Sequence, residues 1–200
     1  MYNKELILNN VLNWAEGEKY FGYSKFDALN SPLLYLISRN SKILRSVFIY
    51  LISRSPINLR KLFFVHKQQN PKGLALFART YFNLFRLTGD KSFYHKGIDL
   101  IEILIPLSKK KDFSGHCWGY DHPWQNNAFF APKYYPNTVV TAFVCEAILD
   151  AFELSNDSRY LEIADSVHHF CINDLTSIID NDNYLCSSYI PNNDVKVINI

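Results

Sequence analysis

Residues 70–93 and 137–160 repeat one another at a fixed offset of 67. Asn70-Pro71-Lys72-Gly73 opens the first segment, which runs through Leu87-Thr88-Gly89-Asp90 to Phe93. Asn137-Thr138 opens the second, which runs through Leu154-Ser155-Asn156-Asp157 to Tyr160. The spacing inside each unit predicts two helices. Asn70 suits an N-cap, with Pro71 at the first helical position. Leu74, Phe77, Ala78, Tyr81 and Phe85 then follow helical periodicity. Thr88-Gly89 ends that helix, and Asp90 can cap a second one that stops before Pro106. The matching unit predicts helices over Thr138–Leu154 and Ser158–Asn173. A single helical hairpin cannot bury its own apolar face, so repeated hairpins imply a stacked or circular all-α array.

The first helix of each unit is apolar almost all round and is therefore expected to be the inner one. Its polar residues form a stripe, Arg79, Asn83 and Arg86. The offset maps that stripe onto Glu146, Asp150 and Glu153. Inner helices standing side by side would set opposite charges at matching heights, which predicts salt bridges between them. The competing expectation is that Glu146 or Asp150 faces a central cavity.

The N-terminal third is less regular. A helix is expected from Asn3 to about Glu16, then a polar-aromatic loop from Gly17 to Ser31. More helix follows from Pro32, with breaks near Asn40 and Pro56. The chain thus divides into an irregular hairpin over 1–69, a hairpin over 70–108, a rim loop over 109–137, a hairpin over 138–173 and a rim loop over 174–200. The period places the next inner helix near residue 205, so Val197-Ile198-Asn199-Ile200 reads as its threshold. A ring of six hairpins would need about twice this length. A chain naturally this short would be completed by partners or self-associate.

Composition narrows the function classes. Apolar residues make up 48% and charged residues 20%, as in a globular protein. The seven glycines form no GxGxxG or GxxxxGK[ST] pattern, so a nucleotide-binding α/β fold has no support. A net charge of +2, with no basic run longer than Lys109-Lys110-Lys111, gives no sign of nucleic-acid binding. Cys117, Cys145, Cys171 and Cys186 lack CxxC spacing and read as free thiols of a reducing compartment. The N-terminus has no signal-peptide pattern, and no apolar run approaches the roughly 20 residues of a membrane span. A cytoplasmic location without a cofactor is expected.

Long connections between hairpins are where function concentrates. The densest stretch runs from Phe113 to Gln125 and holds two His, one Cys, one Asp, one Tyr and two Trp. Trp118 and Trp124 offer faces for the CH surface of a sugar. His116, Gln125, Lys25 and Tyr189 offer polar groups for its hydroxyls. The plainer expectation is a folded-back loop whose tryptophans form a private core. For acid/base chemistry the candidates are Tyr120, Asp121 and His122, with Tyr23 and Asp27 from the first loop. His122 is the natural base near neutral pH. A glycosidase would need two carboxylates about 5–10 Å apart, and Asp121 with Asp27 could supply them only if their loops converge. Tyr with His and no second acid would suit proton abstraction beside a uronate carboxylate. Ser187, Ser188 and Asn192 are further hydroxyl-binding candidates. His168 and His169 are expected on an outer helix surface.

The Leu-Thr-Gly-Asp-x-x-Phe and Leu-Ser-Asn-Asp-x-x-Tyr turns resemble those of six-hairpin (α/α) toroid proteins, a group that includes glycosidases, heparinase-type lyases and sugar epimerases. More narrowly, Gly22-Tyr23-Ser24-Lys25-Phe26-Asp27-Ala28-Leu29-Asn30-Ser31-Pro32 and Cys117-Trp118-Gly119-Tyr120-Asp121-His122-Pro123-Trp124-Gln125 are similar to a bacterial family associated with capsule, exopolysaccharide or lipopolysaccharide biosynthesis. The resemblance spans nearly all of this chain but only the first half of such a protein. It implies a carbohydrate-active protein acting on a polysaccharide or lipid-linked oligosaccharide, or a glycan-binding scaffold on the same fold. Among toroids, lanthionine cyclases bind zinc through Cys, Cys and His. Here His116 and Cys117 are adjacent and no spaced second pair follows, which is poor ligand geometry.

Overall fold

The computed structural model describes residues 4–181 and 184–192, with side chains left undescribed at Lys4 and over 179–185. The expectation about Val197–Ile200 lies outside the described residues. The fold is all-α. Helix α1 spans Lys4–Gly17, α2 Pro32–Ser38 and α3 Lys42–Arg54. The repeat supplies α4 (Pro71–Thr88) with α5 (Lys91–Leu104), and α6 (Thr138–Ser155) with α7 (Ser158–Asn173). Among the described residues three two-stranded ribbons pin the loops: β1 (Phe21–Gly22) on β2 (Gln68–Gln69), β3 (Trp124–Gln125) on β4 (Phe130–Ala131), and β5 (Ser177–Asn181) on β6 (Tyr184–Ser187). Among the described residues no helix is long and apolar enough to cross a membrane.

Local chemistry recurs at the 67-residue offset. Asn70 Oδ1 accepts from the Lys72 and Gly73 amides, and Asn137 Oδ1 from the Val140 amide. Gly89 (φ 73°) and Asn156 (φ 56°) both adopt the left-handed C-terminal cap, a conformation open to Gly and tolerated by Asn. Asp90 and Asp157 then cap α5 and α7 through the Ser92 and Arg159 amides. Only two residues separate the helices of each hairpin.

Helices α4 and α6 lie side by side and share one core with α5 and α7. It contains Leu74, Ala78, Phe82, Leu100, Leu104, Val140, Val144, Ile148 and Tyr160. The charged stripe pairs as its register predicts. Asp150 accepts from Arg79 Nε and from Arg86 Nη2, each at 2.9 Å. Arg79 also pairs with Glu146, and Arg86 with Glu153 at 2.8 Å.

Helix α1 joins this core through Leu12. A polar clamp closes over it. Glu16 Oε1 accepts from the Tyr81 hydroxyl at 2.6 Å and from Lys96 Nζ at 2.7 Å. Burial pushes the Glu16 carboxyl up, but these two hydrogen bonds outweigh it and leave it below its usual range. Helices α2 and α3 have a separate small core of Ala28, Leu29, Leu34, Ile49 and Ile52.

Candidate functional site

The first loop and the 109–137 loop converge. Pairing of β1 with β2 brings residues 21–22 to the start of α4. The Asn70 side chain then works in two directions. Its oxygen caps α4, while its Nδ2 donates to Asp121 Oδ1 at 2.7 Å. Ser24 Oγ donates to the same carboxylate at 3.2 Å. The third partner is His122 Nδ1, 3.0 Å from Asp121 Oδ1. A carboxylate only accepts, so Nδ1 carries the proton, and in the neutral ring the lone pair is then on Nε2. Asp121 is 1% exposed and His122 6%. Asp121 therefore fixes the tautomer and orientation of His122 from behind.

In front of this dyad lies a cavity of about 280 Å³ lined by Ser24, Lys25, Phe26, Asn70, Tyr120, His122 and Trp124. The volume sits at the small end of ligand sites. The Tyr120 ring stacks on His122, with centroids 5.5 Å apart and planes at 24°. Trp124 meets Tyr120 edge-on at 5.8 Å. Tyr189 packs against Trp124 and Phe129, and its hydroxyl lies 3.4 Å from that of Tyr120. Tyr189 thus supports the aromatic wall rather than lining the cavity. Burial pushes its phenol well above the ordinary value. Tyr23 lines a smaller neighbouring space of about 80 Å³, and the Arg60 guanidinium stands over its ring at 5.2 Å.

Several candidates are placed elsewhere. Trp118 offers no stacking surface, because it is fully buried in the hairpin core. Its indole N–H donates to the Leu104 carbonyl at 2.8 Å, and its amide donates to Thr141 Oγ1 at 3.0 Å. Trp118 thus belongs to the shared core of the hairpins rather than to a private core of the loop, while Trp124 lines the cavity. Asp27 is buried against Arg60, whose Nε lies 3.0 Å from Oδ1, and accepts from the Ser24 amide. Burial still pushes the Asp27 carboxyl upward despite that guanidinium. It does not line the cavity, so Asp27 and Asp121 are not set there as a carboxylate pair. Gln125 accepts from Arg45 Nε and donates to the Asn126 and Phe129 carbonyls, all structural bonds of its own loop and of α3. His116 bonds Ser108 Oγ at 2.9 Å and stacks on Trp118, away from the cavity. Ser188 is spent on the Ile190 carbonyl and the Thr176 amide. His168 and His169 are exposed on α7.

Gly119 explains how the loop can bring Trp118 inward and Tyr120 outward. A Cβ there would stand 2.0 Å from the Tyr135 carbonyl oxygen, so only glycine permits the two strands of the loop to approach. Sequence reasoning missed Ser24, Phe26 and Asn70. Asn70 was legible only as a helix cap; its second role depends on a residue 51 positions away. Among the described residues no three His, Cys, Asp or Glu side chains group as a metal site. Neither protein-family models, characterised proteins nor solved structures gave any match to this chain.

Proposed function

We propose that the cavity binds one sugar unit of a polysaccharide or lipid-linked oligosaccharide of bacterial surface-polysaccharide biosynthesis, with His122 as general base. The observation that carries this reading is the Asp121–His122 dyad set in a wall of Tyr120, Trp124 and Lys25. Two further facts support it. The two segments that resemble the polysaccharide family are the ones that meet at the cavity. The helical hairpins are of the kind that toroids stack, and in such an array these loops would occupy the rim.

The chemistry favours a uronate over a neutral glycoside. Hydrolysis by paired carboxylates is disfavoured, since Asp27 is held by Arg60. The Lys25 ammonium would instead meet the uronate carboxylate. His122 Nε2 would take the proton from the carbon beside it. The hydroxyl of Tyr120 would protonate the departing oxygen in a lyase, or the opposite carbon face in an epimerase. His122→Ala should abolish turnover of a uronate-containing oligosaccharide while leaving its binding intact; turnover that survives would remove His122 from the mechanism. Lys25→Gln should weaken binding of uronates but not of neutral sugars.

The second reading is a glycan-binding scaffold without turnover. Among the described residues no second free acid lines the cavity, which favours it. It expects sugar-dependent thermal stabilisation with no product from any substrate, and His122→Ala would then change affinity alone.

A further inference from the structure

Residues 28–89 contain ten Lys and Arg and no Asp or Glu. The chain totals are 21 and 19, so the remainder holds 11 cations against 19 anions. The fold neutralises part of this segment from outside it. Arg60 pairs with Asp27, Lys67 with Glu18, and Arg79 and Arg86 with the carboxylates of α6. Arg39, Lys42, Arg45, Arg54 and Lys61 make no ion pair among the described residues. Their partners, where present, are neutral. Lys42 reaches the Asn127 carbonyl, Arg45 the Gln125 amide oxygen, and Arg54 the face of Tyr50. These five lie on α2 and α3 or beside them; the tenth cation, Lys72 at the start of α4, also lacks an ion pair among the described residues and stands over the Phe143 ring.

The same helices are apolar on both sides. Ile49 and Ile52 of α3 point into its small core, while Ile43, Val47 and Leu51 face outward, with Ile43 75% exposed. Leu34 is the only apolar side chain that α2 buries. Leu33, Leu36 and Ile37 are exposed, Leu36 at 68%. Ile57, Leu62 and Phe64 extend the exposed apolar surface beyond α3. A helix apolar all round does not belong against water. Tyr35 and Tyr50 are exposed amid these residues, as amphipathic rings are at a bilayer interface.

We propose that α2 and α3 dock on an anionic lipid surface, lying in the interface without crossing it. Apolar side chains would enter the acyl boundary while unpaired Lys and Arg meet phosphate headgroups. Charge selects this occupant. A second copy would bring the same uncompensated cations against each other. A nucleic acid would leave the apolar face wet. The inference does not rest on any ligand in the cavity.

The test is flotation of the whole chain with phosphatidylcholine vesicles, with and without about a third phosphatidylglycerol. Binding is expected to the anionic vesicles and to weaken steeply with salt. Ile43→Glu with Val47→Glu should abolish it. Arg39→Gln, Arg54→Gln and Lys61→Gln together should weaken it about 100-fold, at roughly fivefold per cation. Circular dichroism checks that each variant folds, and the cation variant decides if the glutamates do not. Failure to bind anionic vesicles, or equal binding to neutral ones, overturns the proposal. So does a dimer that the glutamates dissolve without any vesicle binding, which would assign the face to a second copy. Capture of an acidic protein by this face, with vesicles ignored, would assign it to a protein partner instead.

Discussion

Helices α4 to α7 turn their apolar stripes onto one another, and the polar stripe between α4 and α6 is closed by ion pairs. Helices α2 and α3 bury a few small and aliphatic residues and leave a larger apolar set facing outward, among cations without carboxylates. Both regions are helical and aliphatic, yet different forces hold them. In the hairpins helix-on-helix burial dominates, with polar groups filling the caps. The α2–α3 segment is closed internally by Arg60 on Asp27, and it is tied to the 109–137 loop by Arg45 to Gln125, Lys42 to Asn127 and the packing of Phe130 against its small core. The hairpins form the scaffold, and the earlier helices form a surface carried on it.

The largest blow to the scaffold should come from Trp118. Trp118→Ala removes a fully buried indole and its bond to Leu104, and is expected to cost about 3–5 kcal/mol. Chemical denaturation reads the loss. A cost below about 1 kcal/mol would mean that the 109–137 loop is not part of the hairpin core.

Arg60→Ala should come next, at about 3 kcal/mol, because it strands the buried Asp27. Its signature is regional. Amide exchange should quicken over 27–67 and stay slow in α4 to α7. Uniform quickening would erase the distinction between the two regions. The pH dependence has a definite sign. The folded Asp27 carboxyl already lies above its usual range, so protonation favours the folded state. Losing Arg60 raises it further, and the variant's deficit should shrink as pH falls from neutral toward the carboxylate range.

Asp150→Asn should cost about 1–2 kcal/mol, since one half-buried carboxylate holds both Arg79 and Arg86. A double-mutant cycle with Arg79 would show coupling if the ladder acts as a unit. A null result would mean that Asp150 and Arg79 act independently, with their pair adding nothing to the packing of α4 on α6.

Glu16→Gln should have the smallest effect and the opposite pH sign. The folded Glu16 carboxyl lies below its usual value, so its contribution is present above the unfolded value and lost as pH falls through the folded one. Stability curves of wild type and variant should converge in acid. If they diverge there, the clamp of α1 on Tyr81 and Lys96 is not held by charge.

The repeat was readable because its signals are local. A cap needs one side chain and two amides within three residues, so Asn70, Gly89 and Asp90 announce it, and Asn137, Asn156 and Asp157 announce it again. The Arg79–Glu146 and Arg86–Glu153 pairs were readable because a fixed period converts sequence offset into spatial register. Helix breaks near Asn40 and Pro56 followed from the same local rules.

The site was readable only in part. Trp118 and Trp124 share a residue type and a loop, and no local rule separates them. Gly119 lets the strands of the loop close, and Thr141 and Leu104 supply the bonds that take Trp118 inside. Asp27 and Asp121 were equal candidates until Arg60, from beyond α3, claimed one of them. Ser24 and Asn70 were invisible as partners of Asp121 because such partnership is a relation across 97 and 51 positions. The sequence by itself determined the helices, their caps and the register of the paired stripes, since these follow from chemistry within a few residues or from a strict period. Tertiary structure decided which aromatic is core, which carboxylate is free to orient His122, and which helix faces stay open, because burial depends on whatever the rest of the chain places alongside.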